Sequence, residues 1–182
     1  MTTIRLLRPG RSATPPPVKP FRVLFVCMGN ICRSPAAEGT FRHLLKLDGL
    51  EKHILCDSAG TIDYHTGAMP DARMRTAARD RGITLGGAAR QIQPADLDTF
   101  DLILCMDEDN LEYVQQMAGG RKHRARVRLF CEFVTDSDAR EVPDPYYGGT
   151  EGFDEVMDLL EDGCSNLLEH IRKKAGLEAK VK

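Results

Sequence analysis

Two rhythms of apolar and polar positions alternate along this chain, and the switches between them mark its elements. Val23-Leu24-Phe25-Val26-Cys27 is a near-continuous β-branched and aromatic run, which predicts a buried strand over about Arg22 to Cys27. After a short loop the period changes to that of a helix. Ser34 is the expected N-cap, Pro35 the expected first helical position, Ala37, Phe41, Leu44 and Leu45 the apolar stripe, and Gly49 the stop. His53 to Ser58 reads as a shorter strand that opens into a loop from Ala59 to Gly67. A second helix is expected over Asp71 to Arg81 with Gly82 ending it, followed by an irregular stretch from Gly86 to Pro94. Phe100 to Met106 is the next apolar strand, with a helix from Glu108 to Met117 directly behind it. A short strand at Val127 to Phe130 leads into a long loop holding Pro143-Asp144-Pro145-Tyr146-Tyr147-Gly148-Gly149. The last helix, Phe153 to Lys174, lines up Val156, Leu159, Leu160, Cys164, Leu167, Leu168 and Ile171 on one face, with Lys173 and Lys174 suiting the dipole of its last turn.

Strand and helix thus alternate four times. That order predicts an α/β fold: a single three-layer domain with a four-stranded parallel sheet and helices on both faces. Ligands of such sheets bind beyond the carboxyl ends of the strands. Cys27, Asp107 and the loop after Phe130 would all project there. The expected organisation is a disordered basic leader over residues 1–20, the folded domain over 21–176 and a tail over 177–182. The leader carries Arg5, Arg8, Arg11 and a Pro15-Pro16-Pro17 run without periodicity, which favours disorder over a docking motif.

Composition narrows the classes. With 182 residues and 42% hydrophobic content, the chain can bury one substantial core. A net charge of −2 recommends neither nucleic acid nor an anionic membrane as partner. No apolar run approaches a membrane span, and the N-terminus lacks the apolar core of a signal peptide. Six cysteines spread through strands and helices, and five scattered histidines, fit neither a disulfide framework nor a zinc site. The expectation is a cytoplasmic, reduced protein without metal or cofactor.

The chemistry concentrates in the loop Cys27-Met28-Gly29-Asn30-Ile31-Cys32-Arg33-Ser34-Pro35. A cysteine six residues before an arginine carries little by itself, and a lone cysteine closing a strand is ordinarily a core residue. Here Gly29 and Asn30 tolerate left-handed backbone, and the loop feeds a helix N-terminus, so N–H groups turn toward an anion. That field favours a thiolate nucleophile at Cys27, while Arg33 offers a planar fork matched to two phosphoryl oxygens. Ser34 and Asn30 can donate hydrogen bonds to the thiolate and the loop. Attack on phosphorus requires an acid for the leaving oxygen, and Asp144, between two prolines and beside Tyr146 and Tyr147, is the candidate.

The run from Cys27 to Glu38 resembles the signature of the low-molecular-weight protein tyrosine phosphatases, and Asp144-Pro145-Tyr146 resembles their general-acid motif. The similarity covers roughly residues 21–175 and includes Ser58-Ala59-Gly60-Thr61, Tyr64-His65, Ala89-Arg90-Gln91 and Met106 to Leu111. The resemblance implies Cys27 as nucleophile through a phosphocysteine, Arg33 as binder of the phosphate and transition state, and Asp144 as acid and then base. It implies Met28, Gly29, Asn30, Ile31, Cys32 and Ser34 as the phosphate loop, and Ile31, Tyr64, Tyr146 and Tyr147 as flanks of the substrate ring. It also implies Cys32 as a reversible disulfide partner of Cys27, and no metal. Expected partners are phosphotyrosine-containing proteins, with phosphate or another oxyanion in the loop, and the chain is expected as a monomer or weak dimer.

Three rivals stand beside this reading. An arginine phosphatase shares the loop but with threonine where Ile31 stands. Thioredoxin-coupled arsenate reductase needs two further cysteines, for which only Cys105 lies suggestively. A phosphotyrosine-binding module without turnover would need neither Cys27 nor Asp144. Among smaller features, the basic run Arg121 to Arg126 reads as a solvated loop, Cys56, Cys131 and Cys164 as core thiols, His65 as structural, and Asp107 as a supporting residue.

Overall fold

The computed structural model describes residues 19–177. The expected leader, up to residue 18, and residues 178–182 of the expected tail lie outside the described residues. Four strands, β1 (Phe21–Cys27), β2 (Ile54–Gly60), β3 (Leu102–Cys105) and β4 (Arg126–Leu129), form one parallel sheet in the order β2-β1-β3-β4. Helices α1 (Arg33–Leu47), α2 (Ala72–Asp80), α3 (Asp96–Thr99), α4 (Glu108–Ala118) and α5 (Thr150–Ala175) provide the crossovers and the last layer. The α/β three-layer architecture is therefore as the periodicity predicts.

Central β1 shows why its sequence is apolar without alternation. Val23, Phe25 and Cys27 pack into one core with α1, α2 and α5, while Leu24 and Val26 pack into a second with Leu97, Ile103 and Val114. Both faces of the strand are buried, so period two leaves no polar side. Phe25 sets its ring edge-on against Phe41 and Phe130, at centroid distances of 5.8 and 6.2 Å. Fully burying each such ring stabilises the fold by roughly 1.5–3 kcal/mol. On α5, Val156, Leu160, Cys164, Leu167 and Ile171 are all wholly buried, as the stripe predicts.

Several boundaries differ from the sequence reading. Helix α1 begins at Arg33, with Cys32 in the N-cap position and no side-chain cap. Ser34 is not the cap because its hydroxyl turns toward Cys27, and Pro35 falls at the third helical position, where its missing N–H is still one of the unpaired donors of a first turn. Strand β2 runs two residues beyond Ser58, because Cys27 and Gly60 remain in register. Phe130 is not in β4. It opens a 3₁₀ turn, Phe130–Phe133, that drops its ring into the core. Helix α5 starts at Thr150, and the four-residue α3 inside a polar stretch had no apolar period to announce it. Cys131 and Cys164 are buried as expected, whereas Cys56 is only half-buried, on edge strand β2. Among the described residues, no helix is long and apolar enough to cross a membrane.

Candidate active site

The central strand delivers Cys27 to the carboxyl edge of the sheet, and the chain must reverse within five residues to enter α1. Asn30 absorbs that reversal with φ +54°, left-handed backbone that asparagine tolerates better than most residues. Its side chain holds the conformation. Nδ2 donates to Ser34 Oγ and to Ser58 Oγ, each at 2.9 Å, while Oδ1 accepts from the backbone N–H of Arg90 at 2.9 Å. Gly29 serves differently from the expected left-handed turn: it is absent from the positive-φ positions, and a Cβ there would come within 2.9 Å of the His65 ring.

The sulfur of Cys27 receives the backbone N–H of Asn30 at 3.3 Å and lies 3.0 Å from Ser34 Oγ. Ser58 Oγ donates to Glu38 Oε2 at 2.7 Å, so it accepts from Asn30, which in turn donates to Ser34. Ser34 therefore has its own proton to place, either on Cys27 Sγ or on the carbonyl of Ala59 at 3.2 Å. This arrangement can supply a donor to a thiolate and accept from a thiol without rebuilding the network.

Arg33 is buried, with its side chain 4% exposed. Nη1 donates to Asp107 Oδ2 at 2.6 Å and to the carbonyl of Val142 at 3.1 Å, and Nη2 donates to Asp144 Oδ2 at 3.3 Å. Burial opposes its charge, but Cys27, Asp107 and Asp144 outweigh burial and hold the guanidinium above its ordinary pKa. Asp107 has two tasks: Oδ2 clamps Arg33, and Oδ1 caps α4 by accepting from Asn110 N–H at 2.8 Å. Asp144 is oriented from both sides, since Oδ1 accepts from Tyr146 N–H at 3.2 Å and Oδ2 meets Arg33.

These groups border one cleft. Cys27, Met28, Gly29, Ile31, Cys32 and Arg33 form its floor, and Asp144, Tyr146, Tyr147 and His65 its walls. The structure thus brings together most of the residues singled out from the sequence. Asn30 and Ser34 stand behind the loop rather than in the cleft, and Asp107 behind Arg33. Tyr64 does not line the cleft. It is 83% exposed and stands edge-on to His65, with centroids 4.9 Å apart. His65, read as structural, is the wall residue that sequence reasoning missed. Ser58, Glu38 and Arg90 were also passed over as supports of Asn30, although two of them lie in the Ser58-Ala59-Gly60-Thr61 and Ala89-Arg90-Gln91 runs.

Both thiols of the loop are free. Burial, with the charges of Asp71, Cys27 and Asp144, pushes the Cys32 thiol up to about 12. Cys105 packs with Val26 in the core on the opposite face of the sheet from Cys27, so it offers no relay to that sulfur. Among the described residues, no group of three or more His, Cys, Asp or Glu side chains is placed to hold a metal ion.

Residues 22–177 match the family model of the low molecular weight phosphotyrosine protein phosphatases. A putative low molecular weight protein-tyrosine-phosphatase of Synechocystis is 47% identical over 153 residues, covering 84% of this chain and 98% of that protein. The crystal structure of a protein tyrosine phosphatase from Entamoeba histolytica superposes with a TM-score of 0.80 at 39% identity, covering 87% of this chain and 99% of that one. A Drosophila arginine phosphatase shares the fold at a TM-score of 0.76 and 30% identity, covering 82% of this chain and 97% of its own. By match length and identity, the chain belongs to the low-molecular-weight phosphotyrosine protein phosphatase family.

Proposed function

We propose that this enzyme hydrolyses phosphotyrosine in proteins, and small aryl phosphates, through a phosphocysteine at Cys27. One observation carries the reading: the sulfur sits among N–H and O–H donors, in a cleft shared with a buried guanidinium and a carboxyl group. In the first step the Cys27 thiolate forms the S–P bond while the P–O bond to the tyrosine oxygen breaks. Protonated Asp144 delivers its proton to that oxygen. In the second step Asp144, now a carboxylate, takes a proton from water as the water oxygen attacks phosphorus and the S–P bond breaks. General acid–base help of this kind is worth about 10²–10⁴-fold. Arg33 and the loop N–H groups hold the equatorial oxygens throughout.

Asp107 supports the reading as the residue that aims Arg33, and Ile31 as an apolar floor for a flat ring. Tyr146 and Tyr147 would flank that ring, with Tyr64 reaching it only from the exposed rim. A thiolate nucleophile requires reducing surroundings, so the working compartment is proposed to be the cytoplasm, with residues 21–176 as the catalytic unit. Under oxidant, Cys32 is proposed to close a disulfide with Cys27.

The test is metal-free turnover of phosphotyrosine, phosphoarginine and phosphoserine peptides side by side. Phosphotyrosine should be preferred, because Ile31 presents hydrocarbon to the ring. Preference for phosphoarginine would overturn the substrate assignment and favour the activity named for the Drosophila relative.

A further inference from the structure

The general acid is held by more than Arg33. From the start of α2, Arg73 reaches the loop that carries Asp144, and its guanidinium is fixed on four sides. Nε donates to Asp71 Oδ1 at 3.1 Å and Nη2 to Asp71 Oδ2 at 2.9 Å, a two-pronged pairing. Nη1 remains free for the carbonyl of Tyr146, at 3.1 Å. The cation lies between two rings, 5.4 Å from the centroid of Tyr146 and 4.8 Å from that of Phe153.

Exposed ion pairs contribute little on their own, and the Arg73 side chain is 43% exposed. What matters is what the pair connects. The backbone N–H of Asp71 donates to the carbonyl of Ile31 at 2.8 Å, so Asp71 is tied to the phosphate loop. On the other side, the peptide group holding the Tyr146 N–H is the one that fixes Asp144 Oδ1 at 3.2 Å. Arg73 thus clamps Tyr146 at its carbonyl while Tyr146 orients the carboxyl group at its N–H. The path runs from Ile31 through Asp71, Arg73 and Tyr146 to Asp144, and it keeps the acid in register with the loop that binds the phosphate.

We propose that Arg73 is a positioning residue for the general acid, holding the Asp144 loop against the phosphate loop through Asp71 and the Tyr146 carbonyl. The inference rests on the acid role proposed for Asp144. Arg73 touches neither the phosphate nor the nucleophile, so its removal should damage proton delivery and spare phosphate binding. Lysine keeps the charge but cannot pair with Asp71 in two places and still reach Tyr146.

The experiment compares wild type, Arg73→Ala, Arg73→Lys and Asp144→Ala on p-nitrophenyl phosphate, whose phenolate leaves readily, and on phenyl phosphate, whose phenolate does not. Inhibition by inorganic phosphate and the melting temperature are measured alongside. A small misplacement of a reacting group can cost up to about a hundredfold, so Arg73→Ala should lose roughly tenfold in kcat/KM, which reports the phosphorylation step alone, on phenyl phosphate and less than about threefold on p-nitrophenyl phosphate. Its phosphate inhibition should match wild type, and Arg73→Lys should fall between. If Asp144→Ala discriminates between the two esters while both folded Arg73 variants lose equally on them, or lose nothing, the positioning role is wrong. If Asp144→Ala itself does not discriminate, the acid assignment fails, and this proposal falls with it.

Discussion

At the scale of single residues, the two cysteines of the loop are set apart by their surroundings. Cys27 Sγ receives the Asn30 N–H and borders Ser34, whereas burial, helped by the charges of Asp71 and Asp144, pushes the Cys32 thiol up to about 12. Cys32 is therefore a neutral thiol throughout the physiological range and a poor nucleophile there. Limited iodoacetamide treatment at neutral pH should label Cys27 and leave Cys32 unmodified in a peptide map, with Cys32 reacting only as the solution becomes strongly alkaline. Prompt labelling of Cys32 at neutral pH would contradict this division. That Cys27, Arg33 and Asp144 would meet was legible from the sequence, because the role proposed for each asks for a particular residue type at a particular place. His65 was not, because its role arises from a ring lying against a glycine distant in sequence, and no local pattern announces that contact.

At the scale of elements, the loop between Cys27 and Arg33 is seated on the end of β2. Thr61 N–H donates to the carbonyl of Cys27 at 2.9 Å and Ile62 N–H to that of Met28 at 3.1 Å. A Cβ at Gly60 would meet the Met28 carbonyl oxygen at 2.6 Å and Asn30 N at 3.1 Å, both backbone atoms that cannot swing aside. Gly60→Ala should therefore shift the loop itself, at a cost of about 1–3 kcal/mol in stability. Activity on an aryl phosphate should fall by roughly tenfold or more, since sub-ångström placement decides transition-state stabilisation. Wild-type kcat/KM and an unchanged melting temperature would show that the contact is not binding. Element types followed from period alone, while their ends did not. Helix α1 starts one residue before Ser34 because that hydroxyl is engaged with the cysteine instead of capping the helix, a competition between local and tertiary hydrogen bonds that the sequence leaves undecided.

At the scale of the molecule, the fold is a device for gathering three distant segments at one sheet edge. β1 brings Cys27, the start of α4 brings Asp107, and the long loop before α5 brings Asp144, which lies 111 residues from the arginine it contacts. The doubly buried β1 and the order β2-β1-β3-β4 place the strand that ends in Cys27 between two neighbours. Four parallel strands with helices on both faces could be read from strand–helix alternation, whereas the order of the strands could not. The supports of Asn30 and the clamp of Arg73 on Tyr146 could not, because they depend on how loops from separate crossovers meet.

The central claim is that phosphate passes through Cys27, and the most direct measurement is to catch it there. In Asp144→Ala, p-nitrophenyl phosphate should still phosphorylate the sulfur, because its phenolate leaves without an acid, while hydrolysis lacks its base. Mass spectrometry of the rapidly quenched protein should then show an adduct with the mass of one phosphoryl group, mapping to the peptide that contains Cys27 and absent from Cys27→Ser. Product release with no adduct, an adduct on another residue, or comparable turnover by Cys27→Ser would contradict the covalent mechanism.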